Sequence, residues 1–430
     1  MDETEIQRAL AAAREARRSN RADEAAALLQ SLIGRVGEHP VALNMLGLTI
    51  LAEGRHGEAA ALFRRAIGAD PNSPELWMNL ARAFREQSDD SGETQALEGA
   101  LAIDQRHFMA LVRLAELFER TGERRRAAQR WSDVLAMAAM MEERPPTLDP
   151  MLDHAREVVA GQRAGFAAAV ETGLAEARGG LDESQRRRFD GCIDQVLGRR
   201  RIYANQCAGM HFPFLPADEF FERSHFPWLA QIESKTDVIR AELEAMLAQD
   251  EAPIRPYVAM EPGTPPNKWS PLDHKLDWGA IHLWKDGRRD FAVCARVPQT
   301  AAAVEALPLS DLPGRTPTVF FSLLKPGTHL PAHTGVSNVR TIIHLPLIVP
   351  PGCAFRVGGE IREWEVGRAW AFDDTIEHEA WNRSDQVRAI LIFDVWNPHI
   401  TEVERDLLRR FYEVAAGADG GSEAGIDVSD

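Results

Sequence analysis

The sequence predicts a multidomain α + β protein, an α-solenoid followed by a β-fold of sandwich or jelly-roll type. Three observations predict it. A 34-residue period starts at Pro40 and recurs at Pro74 and Phe108. Beyond about residue 250 the apolar runs shorten to strand length, and Pro, Gly and Trp become frequent. Within that second region His333, His378 and Arg388 fall on or beside segments that read as strands.

The repeats come first along the chain. With Pro40 at position one, Leu46 and Gly47 fall at seven and eight, and Ala59, Phe63, Ala66 and Pro71 at twenty, twenty-four, twenty-seven and thirty-two. This pattern resembles the tetratricopeptide repeat. Trp77, Leu80, Ala81, Phe84, Leu97 and Ala100 keep the register in the next unit, and Leu114, Ala115, Phe118, Ala127 and Trp131 keep it in the third. A weaker unit with Ala25 at position twenty precedes them. Small residues at eight and twenty let the two helices of a unit approach, and the large apolar positions stack one unit on the next. Such arrays present extended surfaces to a peptide or protein, so residues 1–138 are expected to bind a partner or substrate; an array that serves only stability or dimerisation is the plainer alternative.

Glu142-Glu-Arg-Pro-Pro146 breaks the last repeat helix. Leu152–Glu171 and Glu183–Val196 then read as helices split by Gly179-Gly180, and residues 139–205 are expected to be a helical connector. Residues 206–416 carry the β-fold. Strands are predicted at Thr318–Leu324, Val339–Val349, Ala354–Val357, Glu360–Glu365, Ala369–Asp373, Glu377–Trp381 and Val387–Trp396. Turns are predicted at Pro326-Gly327, Pro350-Pro351-Gly352 and Gly358-Gly359. Short strands at this spacing suggest a sandwich or jelly roll. A helix over Thr401–Ala416 closes the fold, and the Gly-rich, acidic residues 417–430 are expected to be disordered.

Composition narrows the function classes. A formal charge of −16 over 430 residues argues against nonspecific binding to nucleic acid or to an anionic membrane. No run approaches a membrane span, and the acidic N-terminus MDETEIQRAL does not read as a signal peptide. Cys192, Cys207, Cys294 and Cys353 stand far apart, so reduced thiols in a cytoplasmic protein are expected. The patterns GxSxG and GxxxxGK[ST] do not occur, which leaves hydrolase and NTPase readings without support.

His333 ends Lys325-Pro-Gly-Thr-His-Leu-Pro-Ala-His333, after a Pro-Gly turn, and is expected at a strand mouth. His378 lies in Phe372-Asp-Asp-Thr-Ile-Glu-His-Glu-Ala-Trp-Asn382, at a strand beginning. Two histidines on neighbouring strands can hold one Fe(II), but the usual third ligand is a carboxylate two residues after the first histidine, and Gly335 stands there. Arg388 opens the apolar strand Gln386-Val-Arg-Ala-Ile-Leu-Ile-Phe393. A guanidinium in such a strand needs an anionic partner, and its planar fork suits a carboxylate. Asp373, Asp374 and Asp394 are candidates for a third metal ligand, with a turn cap the plainer role for Asp373-Asp374.

Taken together, residues 318–398 resemble the aspartyl/asparaginyl β-hydroxylases, a branch of the Fe(II)- and 2-oxoglutarate-dependent oxygenases. The resemblance rests on Pro-Gly-Thr-His, His-Thr-Gly, Phe-Asp-Asp, Glu-His-Glu and Phe-Asp-Val-Trp-Asn-Pro. It implies a double-stranded β-helix, the jelly-roll form of the fold, and an iron site of two histidines with glycine in the carboxylate position. It implies His333 and His378 as Fe(II) ligands, Arg388 with Ser322 for the distal carboxylate of 2-oxoglutarate, and His344 at the co-substrate's other end. It also implies Arg340, four residues before His344, as the grip on a substrate carboxylate. A surface salt bridge at Arg340, a satisfied core histidine at His344 and a strand-bonded hydroxyl at Ser322 are the plainer alternatives. Upstream of Thr318 the resemblance thins to Trp278 and Leu283-Trp-Lys-Asp-Gly287. The expected reaction is hydroxylation of a C–H bond, first of all the β-carbon of Asp or Asn in a peptide or protein recruited by the repeats. A small molecule or lipid acyl chain is the alternative acceptor, and a silent repeat scaffold the remaining one.

Overall fold

Pro40 and Pro74 each open a helix at its first turn, where a missing N–H leaves nothing unpaired. The computed structural model describes residues 2–249 and 251–418. The chain divides into two compact units, Met1–Gly180 and Leu181–Asp430.

The first unit is built of helix pairs: α1 (Glu3–Arg18) with α2 (Ala22–Val36), α3 (Pro40–Ala52) with α4 (His56–Ala69), α5 (Pro74–Glu86) with α6 (Asp90–Ile103), and α7 (Phe108–Arg120) with α8 (Arg124–Ala139). Gly47 shows why position eight is small: a Cβ there would stand 2.6 Å from the Phe63 ring of the paired helix. Leu46, Ala59, Phe63, Ala81, Phe84, Leu97, Ala100, Leu114 and Phe118 all enter one apolar core. Position twenty of the second unit departs from the pattern. Glu93 occupies it, buried, with its carboxylate 2.6 Å from Arg120 of the next pair.

Residues 139–205, expected as a connector, divide between the units. Helix α9 (Asp149–Gly179) starts three residues before the expected Leu152 and runs on to the Gly179-Gly180 break. Its Leu152 and Ala155 pack with Trp131 and Val134 of α8, which joins it to the repeats. Helix α10 (Glu183–Val196) opens on an Asp182 capping box and belongs to the second unit, where Arg187 pairs with Glu360 and Asp218.

The second unit holds two antiparallel sheets. Its strands are β1 (Arg255–Pro256), β2 (Trp278–Lys285), β3 (Arg288–Arg289), β4 (Val319–Leu324), β5 (His329–His333), β6 (Arg340–Ile348), β7 (Cys353–Val357), β8 (Glu360–Glu363), β9 (Trp370–Phe372), β10 (His378–Asn382) and β11 (Arg388–Trp396). The larger sheet runs β1-β2-β4-β11-β6-β9, with β3 beside β2; the smaller runs β5-β10-β7-β8. The predicted strands are present within about two residues at each end. Strands β1, β2, β3 and β5 were not predicted, nor were the helices α11 (Leu229–Glu233), α12 (Thr236–Leu247), α13 (Phe291–Arg296) and α14 (Pro298–Glu305).

Those four helices explain the unbroken apolar strands. They cover one face of the larger sheet, packing Ile239, Leu243 and Val304 against Phe321, Leu345 and Leu391. The other face meets the smaller sheet through Leu324, Ile390, Phe355, Val357 and Trp364. A strand covered on both sides loses the alternation of polar and apolar residues, so any charged group on it is exceptional. Helix α15 (Glu402–Ala418) packs Leu408 and Tyr412 on Trp396 and Ile400. The tail expected to be disordered lies, from residue 419 on, outside the described residues.

Candidate metal and co-substrate site

His333 ends β5 and His378 begins β10, and the two are direct partners across that antiparallel pair. Their rings stand 4.0 Å apart, centroid to centroid, at 55°. The Nδ1 of His333 lies 2.7 Å from the Pro331 carbonyl and that of His378 3.0 Å from the Ile376 carbonyl. Each carbonyl fixes the proton on Nδ1 and leaves the lone pair on Nε2, the orientation a metal ligand requires. Burial holds His333 down to about 4 and His378 well below its ordinary value, so both imidazoles are neutral near pH 7.

Among the described residues no three His, Cys, Asp or Glu side chains are grouped to hold a metal. Gly335 shows why the usual carboxylate is missing. Its N–H donates to the Asp374 carbonyl at 2.6 Å. A Cβ at that position would overlap the Asp374 carboxylate, which already fills the space. Asp374 in turn lies 3.5 Å from the Arg340 guanidinium. Asp373 has the turn-capping role its sequence context suggested, accepting from the Thr375 N–H at 3.0 Å and hydroxyl at 2.6 Å. Asp394 accepts from the Thr318 N–H and pairs with Arg340, each at 3.0 Å.

Arg388 is 1% exposed. Its Nη2 donates to Ser322 Oγ at 3.1 Å, and its guanidinium carbon stands 5.1 Å from the centroid of the Trp364 ring. Trp278 Nε1 donates to the same Ser322 oxygen at 3.1 Å, which leaves the Ser322 hydroxyl proton for another acceptor. No carboxylate forms an ion pair with Arg388 among the described residues, and its Nε has no partner. Burial pushes its pKa down to about 9. His344 Nδ1 and Trp364 Nε1 are likewise buried without partners, and the His344 and Trp364 rings lie 6.2 Å apart. The sequence singled out Arg388, Ser322 and His344 but gave no site role to Trp278 or Trp364. In the sequence an indole reads as core; in the folded chain the bond of Trp278 to Ser322 and the unpartnered N–H of Trp364 mark them.

These are buried groups without an anion. An unpaired buried guanidinium costs several kcal/mol. A dicarboxylate fits that donor set, and a divalent iron fits two neutral imidazoles.

The sequence model of the aspartyl/asparaginyl beta-hydroxylase family matches residues 233–398, all eleven strands included. That stretch of the chain is thus similar to the aspartyl/asparaginyl β-hydroxylases. A tetratricopeptide repeat model matches residues 10–74. Aspartyl/asparaginyl beta-hydroxylase of Mus musculus is 40% identical over 136 residues, 31% of this chain and 18% of that protein. Ornithine lipid ester-linked acyl 2-hydroxylase of Rhizobium tropici is 36% identical over 182 residues, 41% of this chain and 60% of that protein. Aspartate beta-hydroxylase domain-containing protein 1 of Homo sapiens is 33% identical over 182 residues, 40% of this chain and 46% of that protein. The chain thus spans less than two thirds of the length of each of these relatives.

One part of the site lies outside the hydroxylase match. Residues 205–212 run as a strap between the two histidine-bearing turns. Asn205 Nδ2 donates to Asp373 at 2.6 Å and to Thr375 Oγ1 at 2.9 Å, before His378. The Ala208 and Gly209 amides donate to Gly335 and Val336, after His333. Asn338 closes it, accepting from the Phe212 N–H and donating to its carbonyl, at 2.8 and 2.9 Å.

Proposed function

We propose that the second unit is an Fe(II)- and 2-oxoglutarate-dependent hydroxylase. The observation that carries this is Arg388, buried in an apolar strand without an anion and facing Ser322. The two sheets are read as the jelly roll of that oxygenase class. Iron and 2-oxoglutarate, when bound, supply oxidation of an unactivated C–H bond with dioxygen: one oxygen atom enters the acceptor and the other the succinate formed with carbon dioxide.

The chain's own residues hold and orient. His333 and His378 would offer their Nε2 lone pairs to the metal, and the Pro331 and Ile376 carbonyls fix that tautomer. Arg388 and the Ser322 hydroxyl would take the far carboxylate, and His344 the near end. Phe355 and Phe372, 5.8 and 5.3 Å from the His378 ring, keep water from that side. The repeats would bring a peptide or protein partner. Two acceptors fall within this chemistry, a peptidyl Asp or Asn and an acyl chain.

The test is succinate formation from 2-oxoglutarate with Fe(II) and air. Wild type should release succinate slowly without acceptor, while His378→Ala and Arg388→Ala should not. Equal release by all three proteins would overturn the reading.

A further inference from the structure

Three cations stand together on one edge of the larger sheet. Arg255 on β1, Lys285 at the end of β2 and Arg288 on β3 are all exposed. None of them forms an ion pair among the described residues. In a chain of formal charge −16, cations grouped without acidic partners set up a local field opposite to that of the whole.

The ladder register tells which face they share. Residues directly opposite in an antiparallel pair point to the same side of the sheet. Arg255 is opposite Ala280, and Ala280 is opposite Ser322, so Arg255 lies on the Ser322 face. The register shifts after His282, which turns Trp284 into the helix-covered core. Lys285, the next residue, points back to the Ser322 face, and Arg288, its register partner, goes with it. Arg289 takes the other face, over the Trp284 ring and paired with Glu305.

His282 lies between the cations, its ring stacked on Phe320 at 5.2 Å. Burial first, then the charges of Lys285 and Arg255, hold it down to about 4, so it is neutral at pH 7. His282 is the register partner of Phe320, Phe320 of Ile392, and Ile392 of His344. Three strand spacings, roughly 14 Å, therefore separate this edge from His344.

Spacing decides which anion fits. Arg255 stands opposite Ala280, five residues from Lys285 along β2, about 16 Å. A single phosphate would have to draw both long side chains inward, against their rotamer entropy. Two carboxylates four residues apart on an extended chain are about 13 Å apart and meet the cations where they stand. We propose that this edge binds an acidic peptide segment, with one carboxylate at Arg255 and another at Lys285 and Arg288. The segment lies along the sheet edge over His282, beside the site built round His344. This surface goes beyond the hydroxylase reading and does not depend on it.

The experiment uses the full chain and needs neither metal nor turnover. A labelled, capped decapeptide with two Glu four positions apart among Gly, Ser and Thr is titrated at low salt and followed by fluorescence anisotropy. Arg255→Gln and Lys285→Gln should each weaken binding about threefold, and the triple variant with Arg288→Gln about tenfold or more. Arg383→Gln removes an exposed cation next to β10 and should change nothing. A peptide with its two Glu adjacent should bind more weakly, since neighbouring side chains of an extended chain point to opposite sides. Undiminished binding by the triple variant, or equal binding of the adjacent-Glu peptide or of its Gln analogue, overturns the proposal. So does absence of peptide binding alongside capture by phosphatidylglycerol vesicles that the triple variant loses, which would make the edge a lipid-facing surface. Loss of the peptide effect leaves the hydroxylase reading untouched, and absence of succinate formation leaves this surface standing.

Discussion

Arg388 and Ser322 give the sharpest prediction for a single side chain. Removing one partner of a buried charged pair costs about 3–5 kcal/mol, so Arg388→Ala should weaken 2-oxoglutarate binding roughly 100-fold or more. Metal content should persist, since the histidines stand on other strands. Arg388→Met should raise the melting temperature of the ligand-free protein, because it removes an unpaired buried charge, and abolish the stabilisation by 2-oxoglutarate. A melting curve with and without the co-substrate checks both. Gly335→Asp restores the residues of the ordinary triad, yet it should lower stability and raise neither metal content nor turnover. Its Cβ would overlap the Asp374 carboxylate, and overpacking of this kind typically costs about 1–3 kcal/mol. Higher turnover in that variant would mean that Asp374 gives way freely. Asp373 supplies a pH test. Burial pushes it up to about 7 from an ordinary 3.8, against the pull of the Thr375 hydrogen bonds. A carboxyl whose folded pKa is raised contributes stability that is full below the unfolded pKa and lost as pH rises through the folded one. Asp373→Asn cannot ionise, so its melting temperature relative to wild type should climb between about pH 4 and 8. A constant difference across that range would show that Asp373 is ionised throughout.

Among the elements, the strap over residues 205–212 is the one that family likeness alone does not reveal. It ties the turn after His333 to the turn before His378, so its loss should be felt as metal release. Asn338→Ala leaves the Phe212 N–H and carbonyl without their partner, at a cost of about 1–3 kcal/mol. Iron should be stripped from this variant by lower chelator concentrations, at temperatures well below its melting point. A lowered melting temperature with unchanged metal retention would make the strap purely structural. Nothing in the local sequence Asn-Gln-Cys-Ala-Gly marks such a role. It arises from backbone amides meeting carbonyls far along the chain. Strand β2 and helices α11–α14 were illegible for a related reason. Trp278–Lys285 contains a glycine and a histidine that interrupt its strand pattern, although Asp286-Gly287 marks the turn after it, while α11 and α13 are too short to show a helical period. By contrast the long strands β6 and β11 announced themselves as nearly unbroken apolar runs, and the repeat helices through their 34-residue period.

For the whole molecule, the division after Gly180 sets the cleanest experiment. Residues 181–430 should fold alone, bind Mn(II) or Fe(II) and 2-oxoglutarate, and release succinate slowly without acceptor. Repeat arrays are stabilised by neighbour-to-neighbour packing, so their removal leaves the sheets' own cores intact. Turnover of an acyl acceptor free in solution should be unchanged in this fragment, whereas an acceptor delivered by a protein partner should show a raised KM at constant kcat. A fragment that fails to bind metal would place part of the site's support in the repeats.

By itself the sequence determined the repeat architecture and the β-character of the second half, and it singled out His333, His378 and Arg388 from local information: a turn, a strand beginning, or a charged residue in an apolar run. Ser322, His344 and Arg340 were named only through the family resemblance. Only the tertiary structure decided how those residues are engaged. It paired the two histidines across β5 and β10, left Arg388 without an anion, and gave Arg340 to Asp394 and Asp374. It also put the Asp374 carboxylate in the space a side chain at Gly335 would need. Ion pairing, steric exclusion and shared sheet faces join residues tens of positions apart, and those distances become short only when strands from both ends of the domain pair.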